Sequence, residues 1–244
     1  MGTVIAVTSG KGGTGKTSVT GGLASALSEM GRSVLCIDMD IGLRNLDISL
    51  GLNDRALMDF SDVALGRCPL ARAAVTHPDL KNLSLLTSPM SLPPSLTTEK
   101  VCALLNTART MYDYVLIDSP AGLGAGFRLA ICGADRVLVV ATNDASSLRD
   151  AQRTVSELEG IRQVHLVMNR IQPKLLRKLR TTIDDAMNAA GLPLMGVIPE
   201  DPQVILCANQ GQPLLSQGRR GAATACRNMA MRLEGRQVPI MRIR

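Results

Sequence analysis

The stretch "SGKGGTGKTS", residues 9–18, carries the most chemistry per residue in this 244-residue chain. Gly10-x-x-x-x-Gly15-Lys16-Thr17 fits the G-x-x-x-x-G-K-[ST] pattern of a phosphate-cradling loop. Gly10, Gly12, Gly13 and Gly15 let successive backbone N–H groups curl around phosphate oxygens, with Thr14 and Ser18 completing the candidate loop. The helix that follows adds the partial positive charge of its N-terminus. Lys16 is then expected at the β- and γ-phosphates and the Thr17 hydroxyl at Mg²⁺. A chance match in a chain of this length is on the order of one in a hundred from residue frequencies. Lys11 is surplus to the pattern.

A phosphate site also needs a carboxylate at a strand end to hold the metal shell. "YVLIDSPAG" supplies Asp118 after four apolar residues, followed by a Pro-Ala-Gly turn suited to sensing the γ-phosphate. "SVLCIDMDIGLRNLD" supplies Asp38 and Asp40. Asp38 is open to a second reading as the cap of the next turn. Asp40, further into the loop, is the better group to orient an attacking water or complete the magnesium shell. His77 and His165 are isolated in sequence, and no nucleophile has a plausible partner. Catalysis here would rest on positioning and electrostatics.

These residues need a scaffold. Short apolar runs recur at 3–8, 33–38, 83–88, 114–118, 136–141, 164–169 and 194–199. They do not alternate with polar residues, which suits strands covered on both faces. Helical patterning lies between them. Residues 17–30 place Val19, Leu23, Leu27 and Met30 on one stripe before Gly31, and 144–160 run from an Asp/Ser start to Gly160. Strands alternating with helices predict right-handed crossovers and a three-layer α/β/α fold of phosphate-loop type with a mainly parallel sheet. One domain, 1–244, is expected, with 235–244 as a short tail and 88–100 as an irregular loop.

Composition narrows the partners. Aromatic residues make up 2%, so the core must be aliphatic and base stacking has few platforms. No secretory leader opens the chain and no apolar run nears the roughly 20 residues of a spanning helix, which predicts a cytoplasmic protein. The six cysteines are scattered without a C-x-x-C pair, and reduced, mostly buried thiols are expected. Net charge is +6, concentrated in Arg162–Arg180, which lacks acids, and in Arg219–Arg244, with seven arginines against Glu234. Such segments suit an anionic surface, whether membrane or nucleic acid, or a solvated basic face.

"KGGTGKTS" resembles the deviant Walker A motif, K-G-G-x-G-K-[ST], of the MinD/ParA class of P-loop ATPases. "DMDIGLRNLD" and "DSPAG" are similar to the other two signatures of that class, the first pointing to its division-site-positioning MinD branch. Further matches at "SSLRDAQR", "MNRI", "GVIPED", "ANQGQP" and "RNMAMRLEGRQVP" extend the resemblance over nearly the whole chain. It implies an ATP-hydrolysing switch that uses ATP/ADP and Mg²⁺. Lys11 would reach the phosphates of the other subunit in an ATP-dependent homodimer; the alternative is a phosphate contact within its own chain. Thr17, Asp40 and Asp118 would serve the metal, with Asp40 in the first switch and Asp118 in the second. Asn169 would contact adenine with Arg170 beside it, and Arg44, Asn45 and Asp150 would lie near dimer and partner surfaces.

The same resemblance implies a MinE-like activator, a MinC-like inhibitor of division and peripheral attachment to the inner face of the cell membrane. Members of the branch normally continue past the "VP" motif into an amphipathic helix. Here "VPIMRIR" offers Ile240, Met241 and Ile243 beside Arg242 and Arg244, about 1.4 turns of helix. A ParA-like DNA-binding ATPase and a flagellar-number regulator of the MinD-like branch are the alternatives.

Overall fold

The structure, a computed structural model, describes residues 1–241, the side chain of Gln217 excepted. Each predicted apolar run forms a strand: β1 Thr3–Thr8, β2 Val34–Asp38, β4 Leu83–Leu86, β5 Tyr114–Asp118, β6 Arg136–Ala141, β7 Gln163–Ile171 and β8 Leu194–Pro199. A two-residue strand, β3 (Val75–Thr76), joins antiparallel to β4 and is too short to leave a sequence pattern. The order is β3-β4-β2-β5-β1-β6-β7-β8, and every pairing but that of β3 is parallel.

The helices are α1 Lys16–Glu29, α2 Asn45–Leu50, α3 Phe60–Ala64, α4 Leu70–Ala73, α5 Thr98–Met111, α6 Ala125–Ile131, α7 Ala145–Ser156, α8 Pro173–Leu179, α9 Ile183–Ala190, α10 Pro202–Asn209 and α11 Gly221–Leu233, with a 3₁₀ turn at Leu214–Gln217. Helix α1 ends where expected, and Gly31 turns the chain at φ +82°. The expected irregular loop 88–100 is shorter than its sequence suggests, because α5 already begins at Thr98.

Alternate residues of each strand enter opposite cores. Val4, Ala6, Leu35, Ile37, Val115 and Ile117 pack under α5–α7 and α9, whereas Ile5, Val7, Val34, Cys36 and Leu116 pack under α1 and α11. Strands buried on both faces need apolar residues at every position, which is why no alternation was visible. The parallel arrangement brings the C-terminal ends of β1, β2, β5 and β7 to one edge. That edge carries every candidate site residue except those on following helices.

Candidate functional site

The glycine-rich loop leaves β1 at Thr8 and enters α1 at Lys16. Gly13 and Gly15 take φ +78° and +88°, a backbone region costly for other residues. Gly15 is the N-cap of α1 and no side chain caps that terminus. A Cβ on Gly10 would stand 2.4 Å from the Asp150 carbonyl oxygen, and one on Gly15 would stand 2.3 Å from the Asn169 Nδ2. The glycines therefore provide both the turn and the close approach of α7 and β7.

The two lysines part company. Lys16 is buried and its Nζ donates to Ser9 Oγ at 3.1 Å. Burial lowers its pKa, opposed by the nearby carboxylates of Asp118 and Asp40. Lys11 turns away to the start of α7, where its Nζ donates to Asp144 Oδ1 at 2.8 Å and Ser146 Oγ at 2.9 Å. Asp144 also caps α7 through Ser147 N.

Asp118 ends β5 with no solvent exposure. Its Oδ1 accepts from the Thr20 hydroxyl at 3.3 Å, and its buried Oδ2 has no hydrogen-bond partner. Burial raises its pKa to about 7, with the Thr17 hydroxyl pulling it down, Asp38 pushing it up and Lys16 pulling it down. A buried carboxylate oxygen without a donor, beside Thr17 and Asp40, is a group that a divalent cation would satisfy. The Thr14 hydroxyl is likewise buried and unpartnered. Together with the glycine cradle, these orphaned groups fit a magnesium-bound phosphate ligand.

Asp38 takes the turn-capping reading. Its Oδ1 accepts from Asp40 N at 2.8 Å and its Oδ2 from Leu46 N at 3.2 Å, and burial raises its pKa to about 6. It thereby holds the loop that presents Asp40. Asp40 is only partly buried, its pKa raised by burial and lowered by Lys16. Arg44 adopts φ +49° and its Nε donates to Ser88 O at 2.7 Å, while Ser88 Oγ donates to Asp40 O at 3.4 Å. The 40–44 loop is thus strapped to the segment after β4. Asn45 opens α2 beside that strap.

An open cleft lies beside the glycine loop, lined by Gly15, Ser18, Asn169, Arg170, Glu200 and Asp201 among others. Asn169 is buried and its Nδ2 donates to Thr14 O at 2.8 Å, tying β7 to the loop. Arg170, at φ +55°, donates to Gly13 O at 3.4 Å and to Glu200 Oε1 at 3.3 Å. Asp150 contacts the loop through its backbone beneath Gly10.

The structure gathers all the sequence-predicted residues at one strand edge, and it adds Ser9, Thr20, Asp144, Glu200 and Asp201. Each of these acts through a residue distant in sequence or through a common residue type. "GVIPED" was the only local signal for the last two.

Residues 5–214 match the family described as the CobQ/CobB/MinD/ParA nucleotide binding domain. The septum site-determining protein MinD of Helicobacter pylori is 40% identical over 98% of this chain and 92% of its own length. The MinC:MinD cell division complex of Aquifex aeolicus superposes with a TM-score of 0.91 at 36% identity, covering 98% of each chain. Pyrococcus horikoshii MinD complexed with Mg-ADP gives 0.83 at 28% identity and 96% coverage of each chain. With its sheet order, glycine cradle and strand-end carboxylates, the chain belongs to the CobQ/CobB/MinD/ParA nucleotide-binding family, in its MinD branch of ATPases that determine the division site.

Proposed function

We propose that the chain works as an ATP-operated dimerisation switch whose nucleotide site is completed by Lys11 of a second copy. The observation that supports this most is the separation of the two lysines. Lys16 is committed to the interior of the cradle, whereas Lys11 sits outside it on a half-exposed bridge to Asp144. A cation held outside its own cradle is available to another subunit, and its contribution in trans makes ATP binding and dimerisation mutually dependent.

In this reading Gly10 to Ser18 wrap the phosphates of ATP or ADP, with Lys16 at the β- and γ-phosphates. Asn169 and Arg170 border the base, in the cleft beside the loop. Thr17 holds Mg²⁺ directly, with Asp40 and Asp118 completing or orienting its shell. The ion, when bound, supplies the positive charge that neutralises the transferred phosphoryl group. Lys16 adds its own charge from a buried position, where it is worth more than in water. Asp40, on the strapped loop, orients the attacking water.

The test is the oligomeric state by light scattering with a non-hydrolysable ATP analogue. Wild type should dimerise and Lys11→Ala should remain monomeric at the same nucleotide saturation; a Lys11→Ala variant that dimerises normally removes the in-trans role. A MinC-like inhibitor is a fitting partner, since the Aquifex relative is solved with MinC. A MinE-like activator and a membrane surface complete the cycle. No helix of the described residues is long and apolar enough to cross a membrane. Attachment would therefore be peripheral, on the cytoplasmic face, and flotation with anionic liposomes with and without ATP checks it.

A second reading, non-specific DNA binding of ParA type, draws on α8. That helix buries no residue and exposes Lys174, Arg177 and Lys178, with Arg180 just beyond. A gel shift on random duplex at low salt separates the two, since binding of this kind weakens steeply as salt rises.

A further inference from the structure

Four of the six cysteines are buried singly, at Cys36, Cys68, Cys207 and Cys226. The other two are half-buried and meet each other. Cys102, one turn into α5, has its Sγ 3.0 Å from the Sγ of Cys132, the residue that closes α6. The Cys132 Sγ also lies 3.8 Å from the Thr98 carbonyl oxygen. The end of α6 lies close against α5 here: a Cβ on Gly133 would stand 2.9 Å from Leu105 Cδ1. Neither thiol belongs to the nucleotide site, and neither was singled out by any motif.

We propose that Cys102 and Cys132 form a modification site, a dithiol that closes to an intrachain disulfide when a hydroperoxide oxidises it and reopens with thiol reductants. The sulfurs need to approach by only about 1 Å to reach bonding distance. Partial exposure lets a small oxidant in, whereas the other four thiols are shielded. Cys102 attacks the peroxide. Its sulfur bonds one peroxide oxygen, the O–O bond breaks, and the thiol proton leaves in the water released from hydrogen peroxide. Cys132 then attacks the resulting sulfenic sulfur, the S–S bond forms, the S–O bond breaks, and the hydroxyl leaves as water with the Cys132 proton. Two thiols are oxidised and one peroxide is reduced to two waters. Burial, aided by the neighbouring Cys102, pushes the Cys132 thiol up to about 12.

The link has a mechanical consequence. Helix α6 starts directly after the 119–124 loop that leaves Asp118, so pinning its far end to α5 shortens the free segment between two fixed points. Amide exchange over residues 119–131 should slow in the oxidised form, because local opening of α6 now has to carry α5 with it.

The experiment uses the full chain without nucleotide, so its outcome is independent of the dimerisation reading. Stoichiometric hydrogen peroxide is added, free thiols are blocked, and digested peptides are read by mass spectrometry. The expected result is a Cys102–Cys132 crosslinked peptide that disappears with dithiothreitol and is absent from Cys102→Ser and Cys132→Ser, with exchange over 119–131 slowed several-fold. Sulfinic or sulfonic acid on single cysteines, a crosslink between copies, or an oxidised form whose exchange over 119–131 equals that of the reduced form would each overturn the proposal.

Discussion

At the scale of residues, Asp118 makes the sharpest prediction. Its carboxyl is raised from the ordinary 3.8 to about 7 by burial, and Asp38 is raised to about 6. Between about pH 4 and 7 both groups hold more protons in the fold than in the unfolded chain, so the stability they contribute to the ligand-free fold is fully present below about pH 4 and is lost as pH rises through 7. Asp118→Asn removes the larger part of this slope. The ligand-free variant should gain on wild type as pH rises from 4 to 8, by on the order of a few kcal/mol, while losing magnesium-dependent nucleotide binding. Thermal melts across that range check it, and parallel curves for the two proteins would contradict it. Gly10→Ala tests the cradle by a different route. Its methyl group would meet the Asp150 carbonyl oxygen at 2.4 Å, a backbone atom that cannot rotate aside, so α7 must shift. Denaturant melts should show a loss of about 1–3 kcal/mol. The loop itself was legible because phosphate binding uses contiguous backbone, so its residues are neighbours in sequence. Ser9 and Thr20 were not legible, since a serine or threonine hydroxyl gains meaning only from the lysine or carboxylate that the fold places beside it.

At the scale of elements, α7 is the one whose end does two tasks. Asp144 caps it through Ser147 N at 2.9 Å and at the same time receives Lys11. Although burial acts upward, the Lys11, Ser146, Thr142 and Ser147 donors hold the Asp144 carboxyl well below the usual range, so the bridge persists at any ordinary pH. Its partners are 32% and 49% exposed, however, and a bridge that open contributes no more than about 1 kcal/mol. Lys11 can therefore leave at little cost. Asp144→Ser keeps a capping oxygen and drops the carboxylate. It should leave the melting temperature nearly unchanged and lower the protein concentration needed for half-dimerisation with an ATP analogue; an unshifted midpoint would show that the bridge does not hold Lys11 back. Strands were the most legible elements because burial on both faces demands unbroken apolar runs. Short polar helices were the least. α8 begins at Pro173 and contributes no buried residue, and α9 runs only from Ile183 to Ala190 between its Thr182–Asp185 capping box and Gly191, so neither carries an amphipathic stripe long enough to stand out.

At the scale of the whole molecule, the nucleotide edge and the C-terminal tail lie at opposite ends of the sheet. The glycine loop follows the C-terminal end of β1, whereas the tail is fastened near the start of β8, where the Arg232 guanidinium donates to Met195 O at 2.8 Å. The same group donates to Val238 O at 3.1 and 3.0 Å and to Pro239 O at 2.8 Å. Met241 packs against the core beyond this clamp, while Ile240 is 42% exposed. The sequence suggested three apolar residues for a surface, but one of them is already used inside the fold; Arg242, Ile243 and Arg244 lie outside the described residues. Burial lowers the Arg232 pKa, and among the described residues its guanidinium meets backbone carbonyls and no carboxylate. A lysine has no planar fork with which to bridge these carbonyls. Arg232→Lys should thus release residues 236–241 almost as fully as Arg232→Ala. Both variants should lose about 1–3 kcal/mol and expose the tail to limited proteolysis, with the nucleotide edge unaffected because no contact of the clamp reaches it. If Arg232→Lys keeps the tail as protected as wild type, the clamp depends on charge rather than on the geometry of the guanidinium.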